Sequence, residues 1–132
     1  MASKTRILLI DDEKDFLELM SFWLKSKGYD TITVTNGREG IEIIKKNMPD
    51  IVFLDIFMPD LNGVETLREI RKFSDIPVIM LTVAELKNVK DAYSMNELNN
   101  LGVSGFFKKR DGFEDLIKLL EVTIRMRKNI KK

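Results

Sequence analysis

Carboxylates stand at the ends of two strongly apolar segments of this sequence. Asp11 and Asp12 directly follow Ile7–Ile10, and Asp55 directly follows Ile51–Leu54. A lone carboxylate at the end of a buried strand is costly, because the charge loses its water of hydration. Three such groups gathered in one place repel one another, which raises a pKa or calls for a cation.

The chemistry open to these acids is narrowed by two absences. The sequence has no Cys and no His, which excludes thiolate and imidazole metal sites, Ser-His-Asp triads and any phosphohistidine on this chain. With oxygen ligands alone, the natural ion is Mg²⁺. An Asp is a competent nucleophile when its attack produces an aspartyl phosphate. We therefore predict that Asp55 accepts a phosphoryl group and that Asp11 and Asp12 help to hold the metal.

Two more polar residues share the strand-end position. Thr82 follows the apolar run Val78–Leu81 and could donate a hydrogen bond to a phosphoryl oxygen, and Lys109 could neutralise its charge. Taken singly, each residue has an ordinary explanation, since strand-end Asp residues often form turns or helix caps and a basic cluster is usually surface charge. The acids, Thr82 and Lys109 together occupy the ends of four predicted strands, and this joint placement favours a functional site.

The elements that must position these residues alternate along the chain. Continuous apolarity in the runs suits parallel strands covered on both faces, and weaker runs at Thr31–Thr35 and Val103–Phe107 bring the strands to five. Capping-box spacings that begin at Asn36, Asn62 and Asp111 mark three of the intervening helices. The alternation predicts an α/β fold, (βα)₅, with a parallel sheet between two helical layers.

Length and composition describe one ordinary globular domain. The chain has 132 residues, of which 44% are hydrophobic and 33% are charged, enough for a single core. No apolar run approaches the roughly 20 residues of a membrane-spanning helix, and no signal-peptide pattern is present. We therefore expect a cytoplasmic protein with no membrane partner.

Charge gives little reason to expect a nucleic-acid partner. The formal net charge is +1, so no global field attracts a polyanion. The tail Arg125–Lys132 is basic, but cations at a helix C-terminus complement the helix macrodipole. We do not expect this chain to bind nucleic acid.

Four segments of the sequence match a known pattern. They are ILLIDDE at 7–13, LDIFMPDLNG at 54–63, IPVIMLT at 76–82 and GVSGFFKK at 102–109. Together they resemble the response-regulator receiver domain of two-component signal transduction, of the chemotaxis-regulator kind. The resemblance makes 1–132 a single receiver domain, with a core of 5–128 and a basic tail of 125–132. It implies a flavodoxin-like, doubly wound sheet with the strand order 2-1-3-4-5.

The resemblance implies a role for each strand-end residue. Asp55 is the phosphoacceptor, and Lys109 pairs with the phosphoryl group. The carboxylates of Asp12 and Asp55 and the backbone carbonyl of Phe57 hold Mg²⁺, with Asp11 acting through water. The domain is thus a phosphoacceptor rather than an enzyme, with at most slow loss of its own phosphoryl group.

Switching and partners are implied in the same way. Thr82 is the switch hydroxyl that moves toward the phosphoryl group, and Phe106 is the switch aromatic, whose rotamer follows Thr82. The donor is a histidine kinase or phosphotransfer protein in trans, or a small phosphodonor. The output is an unknown downstream partner or domain, controlled through the fourth-helix and fifth-strand face. The resemblance allows a monomer or a weak, phosphorylation-dependent homodimer.

The sequence departs from the family pattern in three places. Arg110 replaces the proline that usually follows the lysine, so we predict a trans Lys109–Arg110 bond and a rearranged loop, since a cis non-proline bond costs about 3–4 kcal/mol. The region 84–102 has about five extra residues, worth about one and a half helical turns, either in a longer helix or in a second short segment around Ser94–Leu101. Phe106 replaces the commoner Tyr and lacks its hydroxyl, so its exposed and buried rotamers are separated mainly by apolar burial.

Two other functions stay open from the sequence. One is a Mg²⁺-dependent phosphatase that acts on an exogenous substrate through an aspartyl phosphate. Such enzymes usually carry a second Asp two residues after the nucleophile, where this chain has Phe57. The other is a receiver fold that binds a partner without switching, although every phosphorylation residue is present.

Overall fold

The computed structural model describes residues 4–82 and 95–131. Within these ranges, strands and helices alternate along the chain. None of the helices in these ranges is both long and apolar enough to cross a membrane. The bounds are β1 Arg6–Ile10, α1 Lys14–Ser26, β2 Asp30–Val34, α2 Gly37–Asn47, β3 Ile51–Asp55, α3 Gly63–Arg71, β4 Val78–Thr82, α4 Met95–Asn100, β5 Val103–Lys108 and α5 Phe113–Lys131.

The five strands form one parallel sheet in the order β2-β1-β3-β4-β5. This confirms the predicted α/β fold and strand order. Ile10 of β1 lies opposite Leu54 of β3, and Thr82 of β4 lies opposite Lys108 of β5. Because all strands run in one direction, their carboxyl ends meet at a single edge of the sheet, where ligand sites form in such folds.

Both faces of the sheet are covered, which explains why the central strands are apolar without alternation. In β1, Ile7 and Leu9 pack in a cluster with α1 and α5, whereas Leu8 and Ile10 pack in a cluster with α2, α3 and α4. All four side chains are fully buried. Burying each contributes roughly 1.5–3 kcal/mol, so the two-sided core fixes the strands and the residues that follow them.

The capping spacings predicted for two helices correspond to real caps. At the start of α3, Asn62 and Glu65 form a complete capping box. At the start of α2, the side chain of Asn36 accepts a hydrogen bond of 2.9 Å from the backbone N–H of Glu39. These bonds satisfy N–H groups that the helices themselves leave free.

The loop after β5 agrees with one prediction and corrects another. Since no cis peptide bond occurs in the described ranges, the Lys109–Arg110 bond is trans, as predicted. The helix that follows begins at Phe113, so Gly112 directly precedes it and the cap predicted at Asp111 is one residue early. Helix ends are the least certain part of any assignment from a sequence pattern.

Part of the segment with extra residues is a short helix. α4 occupies Met95–Asn100, within the stretch for which a second short segment was one of the two predictions. Its Leu98 is fully buried against the sheet. The sequence just before this helix has a weak helical pattern that lies outside the described residues. That pattern consists of Leu86, Val89 and Tyr93.

Candidate functional site

Three carboxylates meet at the carboxyl edge of the sheet. Asp11 directly follows β1 and is fully buried, Asp55 is the last residue of β3 and is 4% exposed, and Asp12 is exposed. Ile10 and Leu54 are paired in neighbouring parallel strands. The residues that follow them, Asp11 and Asp55, therefore lie side by side. One carboxylate oxygen from each of the three acids lies within 4.8 Å of the other two. The structure therefore brings together the acids that the sequence singled out.

The ammonium of Lys109 lies among these acids. Its Nζ is 2.7 Å from Asp11 Oδ2, 2.6 Å from Glu13 Oε1 and 3.3 Å from Asp55 Oδ2. Only 7% of the lysine side chain is exposed. The backbone holds it in place, since the N–H of Lys109 donates to the carbonyl oxygen of Thr82 at 2.8 Å. One cation thus faces several anions, and the site has a net negative charge.

Burial and charge shift the protonation of this cluster. Burial raises the pKa of Asp55, and the charge of Asp11 raises it further, to about 7, although Lys109 and the N–H of Phe57 oppose the rise. Burial also raises the pKa of Asp11. For Lys109, burial alone would lower the pKa, but the neighbouring carboxylates outweigh it and raise the pKa above its ordinary value. Without a further cation, Asp55 takes a proton near neutral pH while Lys109 stays charged.

A divalent cation would balance the excess negative charge of the site and would bind a carboxylate oxygen that has no hydrogen bond. Asp11 Oδ2 is buried and has no hydrogen bond within the described part of the chain, although Lys109 Nζ lies 2.7 Å away. This short contact is an ion pair that offsets charge without supplying a well-directed hydrogen bond. Carboxylate oxygens are the ligands that Mg²⁺ prefers, so Asp11, Asp12 and Asp55 fit such an ion.

Thr82 and Phe106 lie on adjacent strands. Thr82 ends β4 and is 2% exposed. Phe106 of β5 is in register with Met80, two residues before Thr82. Its half-buried ring packs against the apolar cluster under α2, α3 and α4. Apolar contacts therefore hold the ring in this position.

The loop after β3 turns back on the strand end. Phe57 is 40% exposed, and its N–H donates to Asp55 Oδ1 at 3.3 Å. The N–H of Gly63 donates to the carbonyl oxygen of Ile56 at 2.9 Å. The approach is so close that a side chain at Gly63 would overlap the carbonyl oxygen of Asp55. A glycine here lets α3 begin directly against the acid.

Comparison with known proteins decides the family. The family model of the response regulator receiver domain matches residues 7–121. This chain belongs to that family. A receiver domain structure from Clostridium thermocellum is 31% identical to it and superposes with a TM-score of 0.82 over 96% of this chain and 98% of that one. The predicted family, and with it a place in two-component signal transduction, is confirmed.

Two curated relatives of this receiver domain are transcriptional regulators by name. A probable transcriptional regulator of Guillardia theta is 39% identical over 98 residues, which cover 74% of this chain and 38% of that protein. A transcriptional regulatory protein CpxR homolog of Haemophilus influenzae is 45% identical over 78 residues, which cover 59% of this chain and 34% of that protein. The match thus spans little more than a third of either relative.

One residue of the receiver site was missed from the sequence. Glu13 is 57% exposed, and its carboxylate is one of the closest partners of Lys109. Its backbone N–H also donates to Asp11 Oδ1 at 2.9 Å. The signal in the sequence was the unbroken acidic run Asp11–Glu13. Its partner stands 96 positions later in the chain, so spacing alone could not reveal the contact.

Proposed function

We propose that Asp55 of this receiver domain accepts a phosphoryl group from a phosphohistidine donor in trans. The observation that carries the proposal is the buried Asp55 carboxylate held beside Lys109 and two further acids at the sheet edge. Because the chain has no His, the donor is a histidine kinase or a phosphotransfer protein, and a small phosphodonor can replace it in vitro.

Transfer requires the ionised form of Asp55. One carboxylate oxygen attacks the phosphorus atom, and a P–O bond forms while the P–N bond to the donor histidine breaks. The electron pair of the broken bond returns to the imidazole nitrogen. Since the pKa of Asp55 is raised to about 7, added positive charge at the site favours the reactive form.

The charge of the phosphoryl group is offset by this chain and by Mg²⁺. We assign the metal ligands to the carboxylates of Asp12 and Asp55 and the backbone carbonyl of Phe57, with Asp11 acting through water. When bound, Mg²⁺ neutralises charge on the phosphoryl oxygens. Lys109, already 3.3 Å from Asp55 Oδ2, donates to one of those oxygens.

The domain does not turn over an exogenous substrate. The position two residues after the acceptor is Phe57, whose side chain can neither protonate the leaving group of a substrate nor take a proton from an attacking water. The phosphoryl group is then lost only slowly. This distinguishes a phosphoacceptor from a phosphatase that uses the same intermediate.

Phosphorylation acts on a two-state element. The Thr82 hydroxyl moves toward the phosphoryl group, and the half-buried ring of Phe106 follows it inward. The surface that changes is the face of α4 and β5, which controls a downstream partner or output domain. The domain is a single unit over 1–132 with a core of 5–128. It acts in the cytoplasm as a monomer or as a weak, phosphorylation-dependent homodimer.

The test is chemical labelling of the purified chain. Wild type, Asp55→Asn and Asp60→Asn are incubated with a small phosphodonor with and without Mg²⁺, and intact mass is recorded. Asp60 is the matched control, because it is an exposed acid in the same loop. We expect wild type and Asp60→Asn to gain one phosphoryl group only with Mg²⁺, and Asp55→Asn to gain none. Labelling of Asp55→Asn would refute the assignment, as would an unlabelled wild type beside a labelled control receiver.

A further inference from the structure

Lys109 is shared among three acids that differ in exposure. The side chain of Asp11 is 0% exposed, that of Asp55 is 6% exposed and that of Glu13 is 57% exposed. An ammonium group has three donor hydrogens and no more. Glu13 and Asp55 accept hydrogen bonds from Lys109 and Asp11 takes up its third side as an ion pair, so a phosphoryl oxygen must displace one of these three acids to reach the ammonium.

The side chain of Glu13 is held by its contact with Lys109 rather than by helix α1. It occupies the position before α1, and its carbonyl oxygen accepts the first helical bond, from the N–H of Leu17 at 3.1 Å. Its side chain makes no capping hydrogen bond to the helix. Instead, Glu13 Oε1 accepts a hydrogen bond from Lys109 Nζ at 2.6 Å. The carboxylate therefore reaches away from the free N–H groups of α1 and into the site.

We propose that Glu13 is a positioning residue that holds Lys109 in the unphosphorylated domain and is the partner released when a phosphoryl group forms on Asp55. The inference rests on the proposed function of Asp55. It goes beyond that function by naming which contact of the lysine is exchanged.

The three acids differ in what their release would cost. Releasing Asp11 would leave a fully buried carboxylate without its cation, which is strongly destabilising. Asp55 carries the phosphoryl group itself, so Lys109 must stay near it. Glu13 is more than half exposed, so water replaces the ammonium at little cost. The exchange at Glu13 is therefore the one that the structure permits most easily.

Glu13 thus competes with the phosphoryl group for Lys109. Removing its charge should leave the lysine free to bind a phosphoryl mimic, and the affinity for the mimic should rise by about two- to fivefold, the range expected for one exposed ion pair. A residue with a purely structural role would not change this affinity.

The experiment measures binding of beryllofluoride, a phosphoryl mimic, in the presence of Mg²⁺ by isothermal titration calorimetry. Wild type is compared with Glu13→Gln and with Glu18→Gln, which removes the same charge from an exposed position on the same helix. We expect tighter binding for Glu13→Gln and unchanged binding for Glu18→Gln. Equal affinities for the two variants would overturn the inference. Urea unfolding of each variant verifies that it is folded.

A second pair of variants separates the lysine contact from general repulsion of an anion. In a Lys109→Met background, Glu13→Gln should leave the affinity for beryllofluoride unchanged, because the shared partner is absent. Tighter binding in that background would show that Glu13 acts by charge alone and would overturn the proposed role. If wild type neither binds beryllofluoride nor gains a phosphoryl group, the proposed function itself fails. A labelled wild type with no effect at Glu13 refutes the inference alone.

Discussion

The starts of α3 and α1 both come shortly after an acid at the carboxyl edge of the sheet, Asp55 or Asp11, yet they are built in opposite ways. At α3, Asn62 and Glu65 satisfy each other's backbone N–H groups in a complete capping box. At α1, Glu13 occupies the same position and caps nothing. Its carboxylate binds Lys109 instead. α3 therefore begins with a residue whose side chain caps the helix. α1 begins with a residue whose side chain instead contacts Lys109 in the site.

The difference shows that, in this chain, a contact in the site can take precedence over the residue preference of a helix N-cap. Asn at a helix N-cap is among the most favourable residues, and substituting such a cap by Ala costs about 0.5–2 kcal/mol. A protein retains a residue that breaks a local rule where another constraint acts on it. At α1 that constraint is the charge balance around Lys109. Substitutions at the two helix starts and at Asp55 test this contrast.

Gly63→Ala should be the most damaging change at the start of α3. A methyl group there overlaps the carbonyl oxygen of Asp55, so the loop must move, and we expect the free energy of unfolding to fall by about 3 kcal/mol. Urea unfolding measures it. Gly112→Ala is the matched control, because a methyl group at Gly112 meets no atom within 4 Å. Similar losses for both variants would show that the close approach at Gly63 is not what requires a glycine.

Asp55→Asn should stabilise the protein at alkaline pH when Mg²⁺ is absent. The pKa of Asp55 is about 7 in the folded protein, against an ordinary value of 3.8. Between these values the folded protein holds a proton that the unfolded chain has lost, so this contribution to stability is full at low pH and is lost as pH rises through about 7. We expect Asp55→Asn to raise the free energy of unfolding by about 2 kcal/mol at pH 8.

The measurement for Asp55→Asn is urea unfolding in EDTA at pH 5 and pH 8. The gain should be clear at pH 8 and much smaller at pH 5, where wild-type Asp55 is protonated in the folded state. Added Mg²⁺ should reduce the gain, since it stabilises the ionised wild-type site. A gain of equal size at both pH values would contradict the assignment of the raised pKa.

Asn62→Ala tests the well-capped helix start directly. Loss of the Asn62 side chain removes its hydrogen bond to the N–H of Glu65 and breaks the capping box, and the free energy of unfolding should fall by about 1 kcal/mol. Glu13→Ala at the equivalent position of α1 should change it by less than about 0.5 kcal/mol, because no cap is lost and an exposed ion pair contributes little. Equal losses of unfolding free energy in the two variants would contradict the proposed difference between the two helix starts.

Glu13→Ser should produce the smallest change, and a favourable one. A Ser at this position can accept a hydrogen bond from a free N–H of α1, so we expect the free energy of unfolding to rise by about 0.5 kcal/mol. Thermal unfolding followed by circular dichroism measures the gain, with Glu18→Ser as the exposed control on the same helix. A destabilised Glu13→Ser would mean that its contact with Lys109 outweighs a helix cap.

The sequence was sufficient for the fold and for the gathering of the acids, because both depend on local patterns. Continuous apolar runs predict parallel strands, and parallel strands bring Asp11 and Asp55 to one edge. The contact between Glu13 and Lys109 depends on how two distant strand ends meet in space, so no local pattern contains it. The start of α5, one residue later than predicted, depends on the backbone of the turn at Gly112.

The strand order has a consequence for the newborn chain. β1 and β3, which bring Asp11 and Asp55 together, leave the ribosome long before β5, which precedes Lys109. Domains begin to fold as they are synthesised, at about 5–20 residues per second. A nascent chain in which β1 has paired with β3 holds these two acids side by side before Lys109 has been added to balance them. Completion of the last strand supplies that charge, so the same lysine that serves the finished site also makes the final step of assembly favourable.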